Sequence, residues 1–240
     1  MRYELFYWPD IPGRGEFVRL ALEEGGADYV DVGNDPEAGG LPAVEALLGE
    51  DGGARPPFAP PVLRAGSQVI AQVAAILQFL GPRLGLVAKN PRDALWTHQL
   101  QLTIADLVAE AHDVHHPVGI GAYYEDQKDE ALRRAEEFRT QRIPKFLGYF
   151  ERVLAGNPRG TGHLVGARLS YADLSLFHTV EGLRYAFPRT LDRLAPRLPH
   201  VLALAEAVAR RPRISAYLAS DRRLPLDENG IFRHYPELDP

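Results

Sequence analysis

The chain has no cysteine. That excludes disulfides, thiolate metal sites and a redox thiol carried by the protein itself, and it fits a reducing compartment. Two other features are missing. No run approaches the roughly 20 apolar residues of a membrane span, and no basic segment followed by an apolar stretch marks the N-terminus as a leader. Nor is there an excess of positive charge: 27 Lys and Arg against 32 Asp and Glu leave a formal charge of -5, which argues against a general nucleic-acid binder. The expectation is a soluble, cytoplasmic protein with neither nucleic acid nor membrane as partner. What remains is ordinary globular composition, 45% hydrophobic and 25% charged over 240 residues. That length buries a sizeable core in one large domain or two small ones.

The first 85 or so residues alternate strand and helix. Residues 3–7 (YELFY) read as a short strand, and Phe17, Val18, Ala21 and Leu22 fall at helical spacing before Gly25-Gly26. Tyr29 to Val32 read as a second strand. Residues 33–60 form a long connection rich in glycine and proline, in which only Leu41 to Leu48 look helical. Val62 to Arg64 and Val69-Ile70 flank a turn as a hairpin, and a helix is expected from about Gln72 to Leu84. The crossover helix predicts that the first two strands pair parallel and the last two antiparallel. After residue 88 no strand pattern survives. Helices are expected over Pro91 to His116, Glu125 to Leu154, Tyr171 to Tyr185, His200 to Arg210 and Ile214 to Leu218, and Ser170 with Asp173 has capping-box spacing. Strands first and helices afterwards give two domains, residues 1–86 and 91–240. Tyr7, placed between the first strand and the turn Trp8 to Arg14, is either a packed strand-end aromatic or a phenol held beside something reactive.

This order, with Tyr7-Trp8 followed by Pro12-Gly13-Arg14-Gly15-Glu16, resembles the cytosolic glutathione transferases, in particular the tyrosine-type, sigma-like ones. The resemblance covers nearly the whole chain. It implies an α/β thioredoxin-like N-terminal domain that binds glutathione, followed by an all-α C-terminal domain. It also implies that glutathione is the co-substrate, with no metal, and that the protein is a homodimer engaged in detoxification. In that family the tyrosine hydroxyl donates a hydrogen bond to the glutathione sulfur, which assigns the catalytic role to Tyr7. The chemistry suits the residue: a phenol of pKa about 10 stays protonated near pH 7, and donating to a thiol of pKa about 8.5 favours the thiolate. Phe58-Ala59-Pro60-Pro61-Val62 resembles the element in which a cis-proline, here Pro61, opens a strand. The residue before it, here Pro60, meets the cysteinyl backbone. Gln72-Val73-Ala74-Ala75-Ile76 resembles the element that holds the γ-glutamyl group. Asp106, in Thr103-Ile104-Ala105-Asp106, matches an aspartate that reaches across a dimer, or is an exposed helix carboxylate. Val165 to Asp173 resembles the family's folding element, a structural role.

The same resemblance places an electrophile pocket at Trp8, Ile11, His112, His115, His116 and Tyr123, with Trp8 and Arg14 also bordering glutathione. Three histidines at i, i+3 and i+4 invite a metal reading, but no distant partner stands out and none is assigned. Two positions depart from the pattern. Val73 stands where serine or threonine is usual and offers no hydroxyl; Pro60 has no N–H to pair with the cysteinyl carbonyl. The expected function is conjugation of glutathione to small hydrophobic electrophiles. The competitors are a binding or structural protein on the same fold, and a glutathione-dependent isomerase or peroxidase. The tail from Asp227 to Tyr235 either folds over the pocket or packs on the helical domain.

Overall fold

The computed structural model describes residues 2–49 and 55–240; part of the 33–60 connection therefore lies outside the described residues. Four short strands form one sheet: β1 (Tyr3–Phe6), β2 (Tyr29–Asp31), β3 (Val62–Ala65) and β4 (Gln68–Ala71), in the order β2-β1-β3-β4. β1 and β2 pair parallel, and the β1–β3 and β3–β4 pairs are antiparallel. Alternation along each strand sorts side chains to two faces. Tyr3, Leu5, Leu63 and Ala65 pack with Val18 and Leu22 of α1 (Gly15–Gly25) and with Ile76 and Leu80 of α3 (Val73–Leu84). Phe6 and Val62 face the other way, onto Val44 of α2 (Gly40–Leu48). α1 stops where Gly26 takes the left-handed conformation, φ 63°, that glycine enters without steric cost.

From Pro91 onward the chain is helical: α4 (Pro91–Asp113), α5 (Lys128–Glu137), α6 (Ile143–Ala155), α7 (Tyr171–Ala186), α8 (Pro188–Leu194), α9 (Pro199–Ala209) and α10 (Pro212–Leu218). The helix expected over 125–154 is not uniform. Residues Phe138–Arg142 form a π turn between α5 and α6. Pro144 supplies no N–H for the carbonyl four residues back, and a wider turn accommodates that loss. The first long helix ends at Asp113, three residues earlier than its pattern suggests. α8 was not expected at all; its Pro188 sits at the first helical position, where a missing N–H costs nothing. α7 is buried on almost every side and packs against α1, α4 and α9, so it is the central rod of this half.

The tail packs on the helices. Ile231 and Phe232 are buried, and the Phe232 ring lies so close to Gly182 of α7 that a Cβ there would come within 2.2 Å of it. The Asp239 carboxylate accepts hydrogen bonds from the N–H groups of Arg189 (2.7 Å) and Thr190 (3.3 Å) at the start of α8.

The capping box forms as its spacing predicts. Asp173 accepts from the Ser170 N–H and hydroxyl and from the Leu164 N–H, all at 2.7 Å and all buried. Asp173→Ala strands those donors away from water, at about 1–3 kcal/mol for each buried group left unpaired. The expected result is a loss of at least about 3 kcal/mol, read as a lower urea midpoint at unchanged m value.

Candidate functional site

Strand register builds the site. Phe6 pairs with Val62, and Val62 with Ala71, across three neighbouring strands. The residues just beyond that row, Tyr7 after β1, Pro61 before β3 and Gln72 after β4, therefore emerge at one end of the sheet. The peptide bond between Pro60 and Pro61 is cis.

Tyr7 is 4% exposed. Its hydroxyl oxygen accepts the Arg14 backbone N–H at 2.7 Å, so its proton remains free to be donated elsewhere. Glycines make room for the ring. A Cβ on Gly13, whose φ is +42°, would fall 2.2 Å from the hydroxyl oxygen, and one on Gly15 would fall 2.7 Å from the ring. Burial pushes the Tyr7 phenol up, with the Arg14 N–H and the charges of Arg14 and Arg19 acting in the opposite direction. The group is therefore a protonated donor at neutral pH.

The turn between Tyr7 and α1 is fixed from several sides. The Asp10 N–H donates to Asn34 Oδ1 at 2.9 Å, and the Glu16 N–H donates to the Pro12 carbonyl at 2.9 Å. The Arg19 guanidinium donates to the same Pro12 carbonyl at 3.0 Å and to Asp31 at 2.6 Å. Arg14, just before α1, is half-buried, and Trp8, next to Tyr7 in sequence, is 37% exposed.

Gln72 has φ 71° and ψ 122°, a conformation that a residue with a Cβ adopts only under strain. This turn starts α3 directly after β4. No side chain caps α3. The backbone amides of its first turn thus point out of the helix end without a side-chain acceptor, an arrangement suited to a carboxylate. Val73 is half-buried and packs on the helical core, which accounts for an apolar residue there.

The other residues predicted for the site lie on α4 and beyond it. His112, His115 and His116 come together, with the rings of His112 and His116 stacked at 5.0 Å and that of His115 at 4.7 Å from His116. His115 is 2% exposed and shares a hydrogen bond of 2.8 Å with the Ile231 carbonyl, so it lies beneath the tail. Its other ring nitrogen is 2.5 Å from His116 Nδ1. Among the described residues no group of three or more histidine or acidic side chains is arranged to hold a metal ion. Tyr123 is 79% exposed on a loop that Gln127 ties together through the Val118 N–H and the carbonyls of Gly119 and Ala122. Asp106 is exposed and borders a groove between α4 and α6 with Arg142 and Lys145. Ile11 is half-buried in the Tyr7 turn.

Sequence reasoning missed His178. It is fully buried on α7, with its ring edge-on to Phe17 of α1 at 4.7 Å and to Phe232 of the tail at 5.8 Å. Burial holds it neutral, well below an ordinary histidine. Local pattern gave no signal, because the partners lie more than 50 residues away on either side.

A family model described as "Glutathione S-transferase, C-terminal domain" matches residues 112–221. "Glutathione S-transferase P 1" of Bufo bufo is 28% identical over 233 residues, covering 95% of this chain and 98% of that one. "Glutathione S-transferase P" of Bos taurus is 25% identical, with 95% and 98% covered. Among solved structures, the Pi-class glutathione S-transferase of Onchocerca volvulus superposes with a TM-score of 0.72 at 23% identity, covering 96% and 99% of the two chains. Prostaglandin synthase D of Nilaparvata lugens also gives 0.72, at 19% identity, with 94% and 100% covered. Among the described residues no helix is long and apolar enough to cross a membrane.

The histidine cluster sets a dependence of stability on pH. Burial, then the charges of Arg14, His116 and Arg233, depress His112 to about 4; burial depresses His115 to about 3, against a bond to Ile231 that raises it. The unfolded chain, with histidines near about 6.5, binds more protons between these limits. Stability from this source is full above about pH 6.5 and falls as pH drops toward about 4. Urea midpoints across that window are expected to decline less steeply for His112→Gln than for the wild type.

Proposed function

We propose that this chain, similar over nearly its whole length to glutathione S-transferases, binds glutathione across the Tyr7 end of the sheet and transfers its thiolate to a small apolar electrophile. The observation that carries this reading is the Tyr7 hydroxyl, buried at the strand end with one lone pair held by the Arg14 N–H and its proton free. A sulfur placed against that proton receives a hydrogen bond that favours its charged form. The amide bonded to the phenol oxygen strengthens the donor by drawing electron density from it, and burial keeps the phenol from ionising in competition with the thiol.

Spacing supports the same reading. Neighbouring strands lie about 4.8 Å apart, so Tyr7 and Gln72, two strand steps apart, are separated by roughly 10 Å. A tripeptide-sized ligand spans that distance when extended, at about 3.3–3.6 Å per residue. With its sulfur at Tyr7, glutathione passes the Pro60 carbonyl and reaches the α3 end with its γ-glutamyl carboxylate, where Val73 and the following residues offer backbone amides. Pro60 accepts one hydrogen bond from the cysteinyl N–H and returns none. Arg14 supplies positive charge beside the tyrosine.

In the reaction the thiol proton leaves to solvent and the sulfur's electron pair forms the new S–C bond. Substitution expels a leaving group from that carbon; addition ends with a proton taken up from water by the adjacent atom. The protein holds the nucleophile ionised and oriented. Trp8 and Ile11 of the Tyr7 turn, with His112 and His116, border the space for the electrophile, and neutral histidines there leave it suited to apolar acceptors. Asp106 serves a second copy of the chain in a homodimer.

Two variants test the assignment. Tyr7→Phe removes the donor alone, and kcat/KM for a generic aryl halide is expected to fall by about 10²–10³. The ultraviolet titration of bound glutathione should move back toward the free thiol's pKa of about 8.5, with binding retained; unchanged turnover removes Tyr7 from the mechanism. Val73→Ser restores a hydroxyl at the helix end. One added charge-assisted hydrogen bond of about 1.5 kcal/mol corresponds to a glutathione Kd lower by about ten-fold, measured by calorimetry.

A further inference from the structure

The peptide unit between Gly13 and Arg14 joins the Tyr7 turn to the interior. Its N–H donates to the Tyr7 oxygen at 2.7 Å. In a trans peptide the N–H and the carbonyl point opposite ways, so the Gly13 carbonyl is turned away from the phenol. Among the described residues no backbone N–H donates to that carbonyl. The polar side chain that faces it is His178, carried there by α7.

His178 is fully buried, and neither of its ring nitrogens has a partner of ordinary hydrogen-bond geometry. A neutral imidazole carries one N–H, and an interior N–H is destabilising unless something accepts it. The ring is held in place from both sides. Phe17 of α1 meets it edge-on at 4.7 Å and Phe232 of the tail at 5.8 Å. Phe232 is itself seated against Gly182, one turn further along α7. Burial and the charges of Arg223 and Arg19 all oppose protonation of the ring. A fixed, uncharged donor thus stands behind the peptide that holds Tyr7.

Linked hydrogen bonds polarise one another, most of all where the dielectric is low. An N–H set on the Gly13 carbonyl draws electron density through the amide and makes the Arg14 N–H a stronger donor to Tyr7. The phenol becomes in turn a stronger donor to the sulfur beyond it. Hydrogen bonds that serve catalysis commonly reach full strength only in the complex with reactants.

We propose that His178 is a positioning residue for Tyr7: one ring nitrogen donates to the Gly13 carbonyl, and the Gly13–Arg14 peptide passes that polarisation to the phenol. This role rests on the transferase chemistry proposed above, in which the phenol activates the thiol.

His178→Phe keeps a ring between Phe17 and Phe232 and removes both nitrogens. With the generic aryl halide, kcat/KM is expected to fall about three- to ten-fold at about pH 6.5, through kcat, while the glutathione Kd stays within about two-fold of the wild type. At about pH 9.5, above the free thiol's pKa of about 8.5, the deficit is expected to shrink below about two-fold, because the sulfur ionises unaided. His178→Asn and His178→Gln return an N–H near the place of Nδ1 and of Nε2, and one of the two is expected to recover most of the rate at about pH 6.5. A loss equal at both pH values, or one that neither folded amide variant recovers, overturns the assignment and leaves His178 as packing alone. Wild-type kinetics in His178→Phe overturn it too. Tyr7→Phe measured beside it tells two failures apart. If Tyr7→Phe is as active as the wild type, the transferase reading itself falls; a crippled Tyr7→Phe beside a normal His178→Phe removes only the role of His178. Should the phenylalanine variant not fold, the wild type labelled with 15N-histidine answers the same question. A His178 ring N–H resonance that moves downfield when glutathione is added supports the donation, and one that stays in place overturns it.

Discussion

The Tyr7 turn depends on a carboxylate buried in the middle of the protein. Glu16, one residue into α1, is fully enclosed. It lies 2.9 Å from Arg223 and 3.5 Å from Arg19, and the Tyr217 hydroxyl donates to it at 3.0 Å. Burial pushes its carboxyl up, and the two arginines pull it back down. Arg19 is itself buried, and burial would lower its pKa if Asp31 and Glu16 did not outweigh the effect and hold it charged. A buried charge is tolerated only when paired and hydrogen-bonded. This set therefore acts as a unit: remove one member and the others face an apolar interior alone. Its geometric effect is to tie the Pro12 carbonyl, the end of β2, α1 and α10 to a single point. The phenol of Tyr7 takes its place from that frame, with the Arg19 guanidinium 5.7 Å from its ring.

Much of this was legible in the sequence because it is local. Alternation at residues 3–7 and 62–71, the helical stripe through Phe17 and Leu22, and the Ser170–Asp173 spacing each encode a structure that their immediate neighbours complete. Gly13 and Gly15 stand in the motif as residues, but that they make room for the tyrosine ring is seen only in the structure. The buried ion set was not legible. Glu16 and Arg19, three apart on an amphipathic helix, look like a solvated surface pair, and only Tyr217 and Arg223, about 200 residues later, cover them. The π turn at Phe138–Arg142 left a slight trace. The apolar stripe steps five residues there, from Phe138 to Ile143 across Arg139 to Arg142, and the proline at 144 disturbs the backbone hydrogen bonds. The tail was undecidable from sequence because Phe232 finds its slot against a glycine, Gly182, whose significance exists only in three dimensions.

The same division separates the two parts of the site. The part proposed to face the sulfur rests on Tyr7, Gly13 and the Arg14 amide, all within eight residues, and can be read from one stretch of chain. The part proposed to face the carboxylate relies on backbone amides at the start of α3. These do not depend on side-chain identity, so Val73 leaves the amides in place while withholding a hydroxyl. In the proposed function, affinity and activation are thereby assigned to different elements, and a change in one leaves the chemistry of the other intact.

Gln72 stands at a backbone geometry that its own side chain does not favour. A backbone held at φ 71° and ψ 122° is one that glycine would adopt with less penalty, so the stability of the fold alone favours glycine at this position. Drift under stability alone would carry this position away from glutamine. The residue that stands there retains a long amide side chain at the expense of backbone comfort, beside amides that no other side chain occupies. In a lineage of such chains, the identity of this one residue would record whether the end of the sheet is still in use.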